Sequence, residues 1–510
     1  MRRFLKPFFS KKIFGILFFI LQLVLLIMPV TGIYDSNIFL NGGMTLIAIS
    51  LIIFEINRES SSGFKLIWIA LIGVVPLFGI FLYIYVHSDL LITGIKKNLR
   101  TLTAKVAAIT ATMSDAMPAL HTEERDEYGI FRYLHDVAYA PCFNCCDMRY
   151  FRFGEEMFDS LMEDIKSAKK YIFIEFFIIN ESDYMWKRLF ELLKQKASQG
   201  VEVRLMYDAM GSLTCTSKDF DQKLRAYGIK CVVFSPVKPF VSTYHNNRDH
   251  RKIVIIDGRC AYTGGVNIAD EYINSKVRFG HWKDTAIRID GEGVKGFLLM
   301  YFKIWDLMQR TYDDYSQYLV TVPKAELTGG YLCAFDDTPM DTENVSRNLY
   351  MHIINTAKDY VYINTPYLIL DDELLQALKF AARRGVDVRI CMPHIPDKWY
   401  AFALARTYYP ELMKSGVKIY EYTPGFLHAK STISDDIRGY IGSANYDYRS
   451  LYLHYECGVY IYKNNVIKTI KTDFTDTLKR CKLFTQEDYR RLNIFYRMAG
   501  RIFRFFASLM

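Results

Sequence analysis

The chain has 510 residues, of which 51% are hydrophobic, 15% aromatic and 23% charged. This length suits about two to four domains with an ample buried core, and the charged fraction excludes a fibrous or wholly disordered chain. The net charge of +9 is mild for this size and favours an anionic partner, without choosing between nucleic acid and a membrane surface.

Three apolar runs near the amino terminus, over 13–33, 38–56 and 64–86, predict a membrane anchor. A helix of about 20 apolar residues crosses a bilayer, so the first and third runs qualify and the second, which contains Asn41, is borderline. No cleavage site follows the first run, which argues against a signal peptide. We expect residues 1–90 to form two or three transmembrane helices in a cell membrane, with core helices as the alternative for the later runs. Basic residues on both sides of the anchor leave its orientation open.

A linker or juxtamembrane region is predicted over 91–145, and it ends in the tightest cysteine group of the chain. This group is Cys142, Cys145 and Cys146. It has no second CxxC or histidine pair at zinc spacing, so no metal site is predicted there, and its role is open. All ten cysteines are interpreted as reduced thiols or small apolar residues.

An internal repeat organises the rest of the chain. Ala168, Gly200 and Pro236 in the first copy correspond to Ala357, Gly385 and Pro424 in the second, and each copy predicts helix, strand, helix, glycine turn and strand. Strand segments such as 171–174 and 386–390 have no polar face, which indicates burial on both sides. We therefore predict an α/β protein with two similar halves over 146–325 and 326–485, followed by a basic amphipathic helix over 486–510.

Both halves contain the same cassette, with the pattern H-x-K-x4-D-x6-G-[GS]-x-N. Its candidate functional residues are His250, Lys252, Asp257 and Asn267 in the first half, and His428, Lys430, Asp435, Ser443 and Asn445 in the second. A histidine and a lysine two residues apart on a strand share one face, so an imidazole and an ammonium can meet one anion. Phosphate suits this set, because lysine supplies charge, asparagine supplies an amide donor, and small residues allow close backbone approach.

Two histidines at one phosphate imply a two-step displacement. One imidazole attacks phosphorus and forms a phosphohistidine, while the other protonates the leaving alcohol and later activates the incoming hydroxyl. The two lysines would neutralise the non-bridging oxygens, a role that metal ions fill elsewhere. No Asp/Glu/His cluster at metal spacing stands out, so we expect neither a metal nor a cofactor. Asp284 and Glu456 are the candidates for orienting the histidines, with solvated surface carboxylates as the alternative interpretation.

The doubled cassette resembles the phospholipase D superfamily, in which two HxKxxxxD half-sites form one active site. Within it the chain is similar to bacterial cardiolipin synthases, over the stretches NNRDHRKIVIIDGRCAYTGGVNIADEY, GHWKDT, NTPYLILDDELLQALKFAARRGVDVRI and GVKIYEYTPGFLHAKSTISDDIRGYIGSANYDYRS. The anchor sequence NRESSSGFKLIWIALIGVVPLFGIFLY is also similar to that family's. The resemblance implies two phospholipase D-type α/β halves that form one active site, preceded by transmembrane helices.

The resemblance also implies an activity, the transfer of a phosphatidyl group from one phosphatidylglycerol to another with release of glycerol. His250 would then be the nucleophile and His428 the general acid and base. Lys252, Lys430, Asn267, Ser443 and Asn445 would hold the phosphate. Glu456 would orient His428, and Asp284 would orient His250. Asp257 and Asp435 belong to the catalytic motif, yet we expect them to support the hairpin after each HxK strand.

The implied partners are phosphatidylglycerol and anionic membrane lipids, and not nucleic acid. A phospholipase D that uses water, a phosphatidylserine synthase and a nuclease remain open, because the cassette does not choose the acceptor. A nuclease needs a basic, aromatic-lined groove, and part of the +9 charge belongs to the anchor flanks and the tail. A catalytically inactive lipid-binding scaffold is disfavoured because both cassettes are intact.

The carboxyl-terminal segment mixes arginines with phenylalanine and isoleucine. Its arginines are Arg490, Arg491, Arg497, Arg501 and Arg504. This composition is typical of an interfacial helix on an anionic leaflet. A terminal helix packed on the domain is the alternative.

Overall fold

The computed structural model describes residues 38–87, 90–113, 115–144, 146–235, 246–319 and 329–509. The chain divides into two compact units. The first consists of Met1–Lys97, Val237–Asn246 and Phe505–Met510, and the second consists of Asn98–Pro236 and Asn247–Arg504. Both predicted α/β halves lie in the second unit, apart from Val237–Asn246.

The first unit contains the helices α1 (Ile38–Asn57), α2 (Ser62–Val74) and α3 (Pro76–His87), and the start of α4 (Leu90–Thr112). The run 64–86, expected as one spanning helix, forms two helices instead, because Pro76 lacks a backbone N–H and begins a new helix. Gly79 of α3 packs against α2, since an added Cβ would lie 2.7 Å from the Cα of Ile72. Within the described ranges no helix combines the length and apolar character needed to cross a membrane, and the run 13–33 lies outside them.

The first half of the second unit is built on a seven-stranded sheet. The helices over residues 117–309 are α5 (Met117–Glu123), α6 (Arg125–Val137), α7 (Gly154–Ser167), α8 (Tyr184–Ser198), α9 (Phe220–Ala226) and α10 (Val294–Gln309). The strands over residues 142–291 are β1 (Cys142–Phe143), β2 (Cys146–Phe151), β3 (Tyr171–Phe176), β4 (Glu202–Asp208), β5 (Lys230–Phe234), β6 (Ile253–Ile256), β7 (Cys260–Gly264), β8 (His281–Lys283) and β9 (Ala286–Gly291), of which β1 and β8 lie outside this sheet. The sheet order is β2-β9-β7-β6-β3-β4-β5, with β3, β4 and β5 parallel and β6 antiparallel to β3.

The second half repeats this arrangement in a nine-stranded sheet. Its strands are β10 (Tyr331–Asp337), β11 (Tyr360–Asn364), β12 (Leu368–Ile369), β13 (Asp387–Pro393), β14 (Lys418–Tyr422), β15 (Gly425–Leu427), β16 (Ser431–Ser434), β17 (Arg438–Gly442), β18 (Tyr446–Asp447), β19 (Glu456–Tyr462) and β20 (Cys481–Leu483). Its helices are α11 (Val345–Thr356), α12 (Asp372–Arg383), α13 (Trp399–Ala405), α14 (Tyr409–Lys414), α15 (Tyr448–Tyr452), α16 (Val466–Leu478), α17 (Gln486–Arg491) and α18 (Ile494–Phe505). The sheet order is β1-β10-β19-β17-β16-β11-β13-β14-β20.

The predicted pair of α/β halves is thus present. The hairpin β6–β7 corresponds to β16–β17, and the parallel strands β3-β4-β5 correspond to β11-β13-β14. Every residue of β3 and β11 is buried, including Glu175 and Asn364 at or near their carboxyl ends, and the apolar segment 171–174 of β3 is buried as predicted. Helix α10 is buried along most of its length and contacts β5 and β6 of one sheet and β10 of the other. This helix therefore forms part of the core that joins the halves.

The region predicted as a linker is structured from residue 98 onward. Glu127 of α6 is fully buried, and its carboxylate accepts hydrogen bonds from Arg438 at 2.6 Å and from His352 at 2.8 Å. Strand β1 pairs with β10, with Cys142 opposite Cys333. Helix α6 and strand β1 therefore pack on the second half, whereas Lys105 of α4 lies 3.7 Å from Asp306 of α10. The described cysteines are free thiols, as expected, and Cys145 lies outside the described residues.

Candidate active site

Each cassette histidine lies directly before a buried strand and is held by the backbone of the opposite half. The backbone N–H of His250 donates to the carbonyl of Tyr455 at 2.9 Å, next to a parallel bridge between Asp249 and Tyr455. The N–H of His428 donates to the carbonyl of Lys283 at 2.7 Å, where β15 runs parallel to β8. Two equivalent backbone junctions therefore join the halves at the histidines.

These junctions decide which acid meets which histidine. Nδ1 of His250 lies 2.9 and 3.0 Å from the two carboxylate oxygens of Glu456, and Nδ1 of His428 lies 2.6 Å from Oδ2 of Asp284. Both acids are orienting partners, but the expected pairing was wrong. Because Glu456 follows Tyr455 and Asp284 follows Lys283, each junction delivers its acid to the histidine of the other half. The two half-sites are therefore completed by each other.

Burial favours the neutral form of both imidazoles in the protein without bound substrate. Burial lowers the pKa of His250 to about 3 and that of His428 to about 4, against the opposing effect of their carboxylates. Burial raises the pKa of Glu456, but its pairing with His250 outweighs this and holds the pKa well below its usual range. A neutral imidazole that donates Nδ1–H to a carboxylate keeps its lone pair on Nε2. Each Nε2 can therefore act as a nucleophile or base.

The two cassette lysines lie beside their histidines. Lys252 donates to the carbonyl oxygen of His250, and Lys430 donates to that of His428 and lies 2.9 Å from its Nδ1. Burial lowers the pKa of Lys252 to about 8 and that of Lys430 to about 7. An ammonium has three donors, so donors remain for the oxygens of a phosphate. The half-sites are also close enough for Lys252 to lower the pKa of His428, after the larger effects of burial and Lys430.

The side chains of the cassette asparagines and serine form most of their hydrogen bonds with other groups of the protein. Oδ1 of Asn267 accepts the N–H of Ile178 at 3.0 Å, and its Nδ2 donates to the Tyr272 hydroxyl at 2.8 Å. Ser443 accepts the N–H of Cys457 at 2.9 Å. Oδ1 of Asn445 is buried without a hydrogen bond to any described residue. Asn267 and Ser443 thus fix loops beside the site, and phosphate binding by these three residues stays a prediction.

Asp257 and Asp435 lie at the other end of the cassette strands from the histidines. Asp257 accepts the backbone N–H groups of Lys169, Lys170 and Tyr171 at 2.7, 2.7 and 2.9 Å. Asp435 accepts those of Lys358, Asp359 and Tyr360 at 2.7, 2.9 and 3.0 Å. Their grouping with the catalytic residues is therefore corrected. Both have positive φ in the hairpin turns, so they fix the turn and the start of β3 or β11, in line with the support role expected of them.

Three buried features of the site were not predicted. Gly265 leaves room for Asp284, because an added Cβ would lie 2.1 Å from Oδ1 of that residue. Arg251, between the histidine and the lysine of the first cassette, is fully buried and pairs with Glu175 of the first sheet, with Asp249 at 3.1 Å and with Asp336 of the second sheet at 3.6 Å. Lys283 donates to Asp473 at 2.8 Å. Buried charge pairs thus tie the halves together behind the histidines.

Two further rings lie next to the histidines. The ring of His454 lies 5.5 Å from that of His250, and the ring of Trp282 lies 5.3 Å from that of His428, centroid to centroid. Each lies two residues before the orienting acid, and this shared spacing is the sequence signal that could have identified them. His250, His454 and Glu456 also bring nitrogen and oxygen atoms within 4.8 Å of one another, so they could hold a metal ion. The sequence spacing did not indicate this cluster, because His250 is distant in the chain from the other two residues, and the expected metal-free reaction stays a prediction.

The comparisons with known proteins agree with this geometry. The family described as "Cardiolipin synthase, PLD-like domain" matches residues 161–278 and 350–478. An uncharacterised protein of Streptococcus mutans serotype c is 41% identical over 91% of this chain and 100% of its own length. A cardiolipin synthase of Halalkalibacterium halodurans is 30% identical over 96% of this chain and 99% of its length. A cardiolipin synthase of Geobacillus sp. (strain WCH70) is 32% identical over 92% and 94%.

One solved structure shares the fold. The crystal structure of phosphatidylserine synthase from Haemophilus influenzae matches 75% of this chain and 98% of its own with a TM-score of 0.54. The sequence identity is 14%, so the likeness shows the fold alone. It agrees with the pair of α/β halves described above.

Proposed function

The chain belongs to the cardiolipin synthase family of phospholipase D-like proteins, and we propose that it transfers a phosphatidyl group from one phosphatidylglycerol to a second, giving cardiolipin and glycerol. One observation carries this proposal. Two buried, neutral imidazoles, each held by a carboxylate from the other half, stand beside two buried lysines. This arrangement provides a nucleophile, an acid and a positively charged phosphate cradle.

In the first step, Nε2 of His250 attacks the phosphorus of phosphatidylglycerol. The bond from phosphorus to the glycerol oxygen breaks, and His428 gives its proton to that oxygen, since the bound substrate phosphate and Asp284 favour the protonated form of His428. Glu456 stabilises the cationic phosphohistidine through Nδ1, because the carboxylate already accepts that N–H. The assignment of His250 as the nucleophile rests on the sequence resemblance, since the two cassettes are equivalent in pattern.

In the second step, His428 takes the proton from a hydroxyl of a second phosphatidylglycerol. The resulting oxygen attacks phosphorus, the P–N bond breaks, and His250 returns to its neutral form. Asp284 supports the positive charge that His428 carries before the first step and regains in the second step, through its contact of 2.6 Å with Nδ1. Lys252 and Lys430 offset the negative charge of the non-bridging oxygens in both steps.

We further propose that the enzyme works at a membrane. The apolar run 13–33 and the exposed apolar side chains of α1, which include Ile53 and Phe54, support an anchor. Helix α18 supports a second contact. Its Gly500 packs against the backbone of Ala403, while Phe495, Met498 and Ile502 on its surface are exposed. Arginines flank these side chains, as in helices that lie on an anionic leaflet.

A lipid product assay tests the proposed reaction. Purified full-length protein is incubated with phosphatidylglycerol micelles and EDTA, with water and serine as competing acceptors. We expect cardiolipin and glycerol in equal amounts, because one glycerol leaves for each phosphatidyl group transferred. Phosphatidic acid or phosphatidylserine without cardiolipin would replace the proposal with a hydrolase or a serine transferase. Co-sedimentation with anionic vesicles, compared with neutral vesicles, tests the membrane contact.

A further inference from the structure

His454 is a buried histidine that the proposed reaction does not use. It is 8% exposed, and neither ring nitrogen forms a hydrogen bond with a described residue. Its Nδ1 lies 3.7 Å from Oε1 of Glu456, and its ring faces the rings of His250 and Phe177 at 5.5 and 6.5 Å. A buried imidazole without a hydrogen-bond partner loses the solvation of both nitrogens, so its retention at this place needs a reason.

We propose that His250, His454 and Glu456 form an inhibitory site for a divalent transition-metal ion, with Zn²⁺ as the best match, and that an ion bound there blocks phosphatidyl transfer. Two imidazole nitrogens and one carboxylate oxygen are a donor set that zinc takes in proteins, whereas Mg²⁺ prefers oxygen donors only. The inhibitory effect of the ion rests on the proposed function, whereas binding of the ion depends only on the three side chains.

The geometry is close to what zinc requires. Bonds of about 2.1 Å in a tetrahedral site place the donor atoms about 3.4 Å apart. Nδ1 of His250 lies 2.9 Å and Nδ1 of His454 lies 3.7 Å from Oε1 of Glu456, so both separations need to change by only a few tenths of an ångström. The ligand atoms of all three residues lie within 4.8 Å of one another, so the two imidazoles need only a modest approach.

Binding at this place stops the nucleophile by a change of tautomer. Nδ1 of His250 normally donates its proton to Glu456 and leaves the lone pair on Nε2. A metal ion takes the lone pair of Nδ1, so the ring proton moves to Nε2 and no proton is gained or lost by the neutral ring. Nε2 then carries an N–H and has no lone pair for phosphorus. The positive ion also takes the Glu456 carboxylate, which would have supported the phosphohistidine.

The second half-site offers a natural comparison. Trp282 occupies the place beside His428 that His454 occupies beside His250, and its Nε1 is a donor only. The second half-site therefore has one imidazole and one carboxylate and no third ligand at that position. The positive charge of the nearby Lys252 disfavours a cation at the first half-site, and the negative charge of Glu456 offsets this repulsion. We therefore expect the inhibitory ion to bind at the first half-site, beside His250.

Direct binding of Zn²⁺ and of Co²⁺ to the full-length protein in detergent micelles tests the site without reference to activity. We expect one ion per chain and, for Co²⁺, the intense visible absorption of a four-coordinate site. His454→Asn should weaken binding at least about tenfold, since one of three protein ligands is lost. His394→Asn is the matched control, because it removes a histidine that pairs with Glu421 at 2.9 Å away from the cassettes.

Inhibition of cardiolipin formation is then measured with buffered Zn²⁺, each variant being compared with its own rate in EDTA. The wild-type protein and His394→Asn should be inhibited at the concentrations that give binding, and His454→Asn should need at least about tenfold more Zn²⁺. Equal Zn²⁺ binding by His454→Asn and wild type, or a six-coordinate Co²⁺ spectrum in the wild type, would overturn the site. Binding that depends on His454 without inhibition would overturn its inhibitory role and leave the proposed reaction untouched.

Discussion

The first half-site pairs His250 with a glutamate, whereas the second pairs His428 with an aspartate, which has one methylene fewer. The shorter acid lies closer to its histidine, at 2.6 Å against 2.9 Å, and it reaches this place only because Gly265 has no side chain. The corresponding cassette position in the second half is Ser443. Identical cassette patterns therefore do not give identical half-sites, because the residues that complete each site come from the other half and differ in length.

The largest expected effect comes from removing either histidine. His250→Ala and His428→Ala should each lower turnover at least about 10³-fold, since nucleophile and acid–base group act as one unit. The variants should differ in the intermediate. His428→Ala retains the nucleophile, so acid-labile phosphohistidine should form from a phosphate-labelled phosphatidyl ester of nitrophenol, whose leaving group needs no proton, whereas His250→Ala should form none. His394→Ala is the control, and a rate near wild type for either active-site variant contradicts the two-histidine mechanism.

The crossed acids come next. Asp284→Asn and Glu456→Gln should each cost about 10²-fold, because the carboxylate orients the imidazole and stabilises its positive form. A phosphatidyl ester of nitrophenol has a leaving group that needs no proton. It should largely rescue the first step in Asp284→Asn, which weakens the acid His428, and should not rescue Glu456→Gln, which weakens the nucleophile. The opposite result would restore the pairing expected from the sequence, and rates are measured by nitrophenol release.

A third comparison sets Gly265 against Ser443, which occupy the same place in the two cassettes. Gly265→Ala should lower activity about 10- to 100-fold, because the added Cβ would lie 2.1 Å from Oδ1 of Asp284 and displace the acid. Ser443→Ala removes the hydroxyl that accepts the N–H of Cys457, so we expect a loss of about 1 kcal/mol in the free energy of unfolding. Turnover and thermal unfolding of both variants check this, and unchanged turnover in Gly265→Ala contradicts the tight approach.

The repeat and the cassettes could be read from the sequence because both are local signals. Segment 171–174 lies in the fully buried strand β3, and the hairpins follow each HxK as expected. Burial on both faces was wrong for 386–390, because Asp387 and Arg389 of β13 alternate with the buried residues and are only half-buried. The break of the run 64–86 at Pro76 was also visible in the sequence, but a sum of hydropathy over the run conceals it. These elements depend on neighbours in the chain.

The remaining features depend on distant contacts. A repeat says that Asp284 and Glu456 are equivalent, but not whether each serves its own half or the other. The parallel bridge between Asp249 and Tyr455 decides this, and it joins residues from different halves. The same holds for Glu127, which lies in the region predicted as a linker and is buried beside Arg438. Such pairings are settled by tertiary packing rather than by local pattern.

The smallest expected effect concerns the two lysines and pH. Burial places the pKa of Lys430 at about 7 and that of Lys252 at about 8 in the free enzyme, so both lose their positive charge as the pH rises through this range. The substrate phosphate is an anion, and kcat/KM follows the ionisation of the free enzyme, so loss of the lysine charges should lower kcat/KM about tenfold between pH 6 and pH 8, on top of the steady fall caused by deprotonation of His428, whose pKa is about 4. Bound phosphate favours the charged lysines, so kcat should fall only at higher pH. Lys430→Arg keeps its charge throughout and should flatten the decline more than Lys252→Arg does, because Lys430 has the lower pKa. An alkaline limb that is unchanged in Lys430→Arg would assign the decline to another group and remove this difference between the half-sites.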